Sequence, residues 1–86
     1  MKNLKRYNGK LNVIGNKIKE YRENKNISLA ELSNDLMLMG IDIHKNSLQR
    51  LEYGRRIIKD YELCAIAKVL DISIDELLKE FKESLD

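Results

Sequence analysis

The sequence predicts an all-α domain, and three observations carry that prediction. Apolar residues recur at steps of three and four in five successive segments, most of them bounded by a capping residue. Proline is absent and there are only four glycines. The strict apolar–polar alternation of half-buried strands is scarce. An 86-residue chain has room for one domain that buries roughly 60% of the surface its unfolded form exposes. Cys64 is the only cysteine, which excludes an internal disulfide and gives no sign of an oxidising compartment. The amino-terminal residues lack the apolar run of a secretory signal, and nothing approaches the ~18 apolar residues of a membrane span. A cytoplasmic protein is expected.

Residues 1–12 read as a basic, mobile arm, with Lys2, Lys5, Arg6 and Lys10, no acid, and a break at Asn8-Gly9. Such an arm either follows phosphates and enters a minor groove, or is simply a disordered terminus. The folded domain is expected over residues 13–86. Its first helix is predicted over Val13–Asn24, with Asn12 as cap, Ile14, Ile18 and Tyr21 as one stripe, and Arg22 beside it. The second, Ser28–Met39, opens with a capping box. The Ser28 hydroxyl serves a free backbone N–H, Glu31 reaches back, and Ile27 staples onto Leu32. Gly40 suits the position just past its end. Met37, Leu38 and Met39 are expected to fill the core, with a partner-binding surface as the alternative.

The segment Asp42–Arg56 carries the chemistry. At 3.6 residues per turn, Leu48 and Leu51 fall on one side, with Ile43 leading in, and Lys45, Asn46, Gln49 and Arg50 fall on the other. Tyr53-Gly54 closes the helix, because glycine enters the left-handed region without strain. Asn and Gln side chains pair bidentately with adenine, and Lys and Arg with guanine or phosphate. A short rod with an apolar keel and this outer face fits the major groove of DNA; a merely solvated face is the rival reading.

The fourth helix is predicted over Asp60–Leu70, capped by Asp60, with Leu63, Ile66, Ala67 and Leu70 inside. The fifth, Ser73–Leu85, opens with a second capping box of Ser73 and Glu76. Its apolar set is larger than one buried face requires. Leu78, Phe81 and Leu85 are therefore expected to form a two-fold dimer interface, with burial in the chain's own core as the rival.

Charge is distributed unevenly. Residues 1–12 carry +4, and residues 44–59 carry +4 through Lys45, Arg50, Arg55, Arg56 and Lys59 against Glu52. Residues 60–86 carry −5, with Lys68, Lys79 and Lys82 against eight acids. A chain so divided can orient itself on a polyanion with its acidic end turned away. There is no nucleophile with a nearby base, no glycine-rich phosphate loop and no metal-ligand cluster, so an enzyme is disfavoured and no cofactor is expected.

From Ile14 to Leu78 the chain resembles the lambda-repressor-like, Cro-type helix-turn-helix domains of the xenobiotic-response-element family. The residues that carry the resemblance are Ile14-Gly15, Ile18, Arg22, Ser28, Glu31-Leu32, the run Ser47–Arg56, Ile66–Leu70 and Ile72–Leu78. The resemblance implies a compact five-helix domain whose third helix enters the major groove of double-stranded DNA. Lys45, Asn46 and Arg50 then match base-contacting positions, with Gln49 close by. Ser47, Arg55 and Arg56 match positions that meet phosphate. Glu52 matches a buried acid paired with the arginine at Arg22, a structural role.

Three departures stand out. Leu29 replaces a phosphate-binding glutamine, Met37–Asp42 lengthens the connection between the second and third helices, and His44 replaces a small hydroxyl residue at the third helix's cap. His44 reads as a phosphate contact or a surface histidine. Two functions are then in play. One is a repressor acting as a homodimer on a palindromic operator, with half-sites about 34 Å apart. The other is a protein-interaction module, such as an antitoxin, that grips a partner protein and touches DNA only secondarily.

Overall fold

The structure, a computed structural model, describes residues 7–85. Five helices follow in order: α1 Gly15–Asn24, α2 Leu29–Leu38, α3 Lys45–Glu52, α4 Asp60–Leu70 and α5 Ile74–Ser84. Among the described residues there is no strand, only an isolated bridge between Tyr7 and Lys10. Each helix begins and ends where local chemistry dictates. Asn12 Oδ1 accepts from the N–H groups of Ile14 (3.1 Å) and Gly15 (2.7 Å), serving orphan donors at the start of α1. Ser28 and Glu31 form the full reciprocal box at α2. At α5, Ser73 accepts from the Glu76 N–H, while the Glu76 carboxylate lies 3.4 Å from the Tyr21 hydroxyl of α1. At the start of α4, Glu62 takes the N–H of Lys59 at 2.9 Å and Asp60 Oδ1 takes that of Tyr61 at 2.7 Å. Asp60, expected to be the cap, is already the first helical residue.

Four helix ends close alike, α4 through Asp71 in the left-handed region and the Ile72 N–H reaching back to Ala67. At α1, α2 and α3 the residue in the left-handed region is Asn26, Gly40 and Gly54, and the next N–H reaches back to Arg22, Leu36 and Arg50 respectively. This closure decides the fate of Met37–Met39. The buried stripe of α2 runs through Leu32 and Leu36, and its next position would be Gly40, where the helix has already turned. Ile41 and Ile43 take over the core side, and Met37, Leu38 and Met39 stand exposed, Leu38 at 80%. The expectation that they fill the core is overturned.

The core is a single cluster to which every helix contributes, from Ile14 and Ile18 through Leu32, Leu36, Leu48, Leu51, Ile66 and Leu70 to Leu77. α3 packs against both α1 and α2, and α4 bridges α1, α2 and α5. One contact is unusually close. A Cβ at Gly15 would overlap the carbonyl oxygen of Leu51 and lie 2.8 Å from that of Glu52, so glycine lets α1 start directly against the end of α3.

Residues 7–12 differ from the mobile arm expected there. Tyr7 and Lys10 exchange backbone hydrogen bonds of 2.9 Å, the Leu11 N–H donates to the Gly54 carbonyl (2.7 Å), and Lys10 Nζ donates to the Tyr53 carbonyl (3.1 Å). The Tyr7 ring meets Phe81 edge to face at 5.0 Å. This small hairpin straps the end of α3 to α5, because its backbone groups find acceptors and its ring finds an apolar seat. Lys2, Lys5 and Arg6 lie outside the described residues. No helix among the described residues is long and apolar enough to cross a membrane.

Candidate nucleic-acid interface

The keel of α3 is complete. Leu48 and Leu51 are fully buried, and Ile43 is nearly so; each such side chain contributes about 1.5–3 kcal/mol relative to exposure. That burial orients the opposite face. Lys45, Asn46, Gln49 and Arg50 are all exposed, and none of their side chains bonds to another described residue. Their donors and acceptors are turned to solvent together along two turns of one helix.

His44 caps α3. Its Nδ1 accepts the N–H of Asn46 at 3.2 Å, so the ring holds a backbone donor while itself remaining exposed. Ser47 is half-buried, and Arg55 is exposed in the segment that leaves the helix. Ser33 Oγ donates to the Ile43 carbonyl at 2.6 Å, and the Ile41 N–H donates to Leu36 at 2.9 Å. The lengthened connection is thus pinned at both ends, and α3 sits on α2 with its polar face uncovered.

Behind α3 lies the Arg22–Glu52 pair. Arg22 Nε is 2.7 Å and Nη2 3.1 Å from the two carboxylate oxygens, and Nη1 donates to the Ile27 carbonyl at 2.7 Å. The bidentate bond to Glu52 holds the guanidinium above its usual range, against the opposing pull of burial. Arg22 and Glu52 are 8% and 4% exposed, so this is an interior clamp between α1 and α3.

A helix-turn-helix family model matches residues 18–77, most of the chain. The chain belongs to this lambda-repressor-like, Cro-type helix-turn-helix family. The family is one of DNA-binding regulators and is not typically enzymatic. No curated protein and no solved structure matches the chain.

Within the helix-turn-helix, one expected phosphate contact is otherwise occupied. Arg56 Nη1 and Nη2 lie 3.0 and 3.1 Å from the Glu62 carboxylate, and Nη1 also donates to the Ile57 carbonyl. Arg56 is therefore a second clamp, tying the segment after α3 to α4. Burial pushes the Glu62 carboxyl up, but the Arg56 guanidinium and the Lys59 N–H outweigh it and hold the group below the usual carboxylate range. The signal for this clamp in the sequence is Glu62, the third residue of α4.

Asn12 also does more than cap. Its Nδ2 donates to the carbonyls of Leu51 (2.9 Å) and Arg56 (2.8 Å), binding the start of α1 to the end of α3. Asn34 stands exposed on α2. It lines a shallow hollow of about 220 Å³ with Ala30, Met37, His44 and Lys45, so the outer face of α2 continues the polar face of α3. A larger groove of about 470 Å³ lies between the hairpin, the start of α1 and α5; it contains none of the exposed α3 residues. The expected interface on α5 is mostly used within the chain. Leu78 is half-buried on the core and Phe81 is seated under Tyr7, which leaves Leu85 as its exposed member.

Proposed function

We propose that this helix-turn-helix protein is a sequence-specific transcriptional regulator, a repressor that acts as a homodimer on a palindromic operator. The observation that carries the reading is the uncommitted outer face of α3: four exposed side chains with base-reading chemistry over a fully buried keel. In this assignment Lys45, Asn46, Gln49 and Arg50 touch bases. His44, Ser47 and Arg55 meet phosphate, and Lys2, Lys5 and Arg6 add phosphate contacts from the amino-terminal segment. Arg22 and Glu52 hold the geometry and touch no DNA.

The test is selection from a random pool of duplexes, followed by quantitative binding to the enriched sequence. The expected product is an inverted repeat with half-sites about 34 Å apart. A pool that stays random after repeated rounds sinks the reading.

A second reading is favoured by one observation, the exposure of Met37, Leu38 and Met39 at the end of α2. On that reading the chain grips a foreign protein through these residues, as an antitoxin does, and DNA is secondary. Replacing all three by serine separates the two, because operator affinity then persists on the first reading.

A further inference from the structure

The outer face of α3 continues past Lys45 onto α2. The hollow of about 220 Å³ opens between the two helices, lined by Ala30, Asn34 and Met37 from α2 and by His44 and Lys45 at the start of α3. Ala30, Asn34 and Met37 follow at steps of four and three, so they form one stripe. All of these residues are exposed, Met37 at 56%. From this placement we infer that Met37 is a further specificity-determining residue of the DNA interface, packing its side chain on the 5-methyl group of a thymine. The inference rests on the base-reading role proposed for α3 and adds to it an apolar contact from α2.

Continuity selects DNA as the occupant. A helix-turn-helix domain brings the amino-terminal residues of its reading helix to base edges. Lys45 is the first residue of α3 and also borders the hollow. A base next to the one that Lys45 reads therefore meets the α2 side of the hollow, where Met37 is the largest side chain. Ser33 also lines it, but its hydroxyl is already committed to the Ile43 carbonyl at 2.6 Å.

Chemistry selects the group. In the major groove the bases present hydrogen-bonding edges and one apolar substituent, the thymine methyl. Met37 has no donor to offer an edge, and its long, polarisable thioether adapts to an irregular apolar surface. The same geometry divides the exposed trio at the end of α2. Successive helical residues diverge by about 100°, and neither Leu38 nor Met39 lines the hollow. A foreign protein gripping the trio as one surface would need all three together.

The experiment uses a duplex carrying one half-site of the selected operator. Each thymine is replaced in turn by deoxyuridine, which removes the methyl group and keeps every hydrogen-bonding atom. Binding is measured for the wild type, Met37→Ala and Lys45→Ala, with a thermal melt of each variant. For the wild type, deoxyuridine at one position beside the base pair whose preference Lys45→Ala relaxes should weaken binding about fourfold, the worth of one buried methyl group. Met37→Ala should bind the thymine duplex about fourfold more weakly. It should no longer distinguish thymine from deoxyuridine at that position, while keeping any distinction made elsewhere.

A protein weakened merely by loss of folding would still distinguish the two duplexes. A loss of this size also leaves the operator bound, so the serine exchange at Met37, Leu38 and Met39 trims operator affinity by that factor and no further. A wild type indifferent to every deoxyuridine, or a Met37→Ala protein that distinguishes thymine as the wild type does, overturns the inference and leaves base reading by α3 intact. A selected half-site with no thymine beside the Lys45 position overturns it likewise. A wild type that selects no DNA overturns both the inference and the function beneath it.

Discussion

Replacing Glu52 by alanine should cost this domain a large part of its stability, and the interior around Arg22 says why. The guanidinium of Arg22 makes three hydrogen bonds, two to Glu52 and one to the Ile27 carbonyl. Removing the carboxylate leaves Nε and Nη2 unpaired at a site that is 8% exposed; the Glu23 carboxylate, at 3.9 Å, is too far to replace it. Breaking a buried pair from one side costs about 3–5 kcal/mol. A chain of this length has about 4–13 kcal/mol in total.

At about 4–8 °C per kcal/mol for a domain of this size, the melting temperature should fall by at least about 12 °C. Replacing both partners by apolar residues, Arg22→Met with Glu52→Leu, should recover most of the loss, since no charge is then stranded. Urea denaturation followed by circular dichroism gives both quantities, and an unchanged slope establishes that the same folded state is compared. A loss below about 1 kcal/mol for Glu52→Ala would mean that the pair behaves as an exposed one, and the clamp would no longer explain how α3 is held.

The remaining expectations are shorter. Gly15→Ala should destabilise by about 1–3 kcal/mol through overpacking against the Leu51 and Glu52 carbonyls, although alanine is normally the better helix residue; a raised melting temperature would contradict the close approach. Glu62 is held below its ordinary carboxylate range in the folded state, so its stabilising effect is present above the unfolded pKa and is lost as pH falls through the folded one. Melting curves from pH 7 into the acid range should therefore fall less steeply for Glu62→Gln than for the wild type, and parallel curves would oppose the Arg56–Glu62 clamp. Arg50→Ala should weaken operator binding by about 1–3 kcal/mol and relax base choice, whereas Arg55→Ala should weaken all sequences alike and flatten the salt dependence. Equal losses for Arg50→Ala on operator and random duplex would remove it from the base-reading set.

Much of the fold was legible because helix signals are local. The Ser28–Glu31 box, the glycine after α2 and the glycine after α3 act within one turn, and a reader of the chain finds them without knowing what packs on what. The keel of α3 was legible for the same reason, since spacing alone puts Leu48 and Leu51 opposite Arg50. Arg56 was not. A free cation and a clamped one look alike in sequence, and Glu62 settles the matter only once α4 folds back beside the segment after α3.

The amino-acid order by itself determined five amphipathic rods, their caps, and which residues of the third rod can face a duplex, because periodicity and capping depend on neighbours a few positions away. Tertiary structure alone decided which apolar stripes found cover. It placed Tyr7 over Phe81 and left Met37–Met39, Ile57 and Tyr61 exposed. Periodicity reports that a side chain prefers to be buried; whether a neighbour arrives to bury it depends on contacts between residues as distant as 7 and 81.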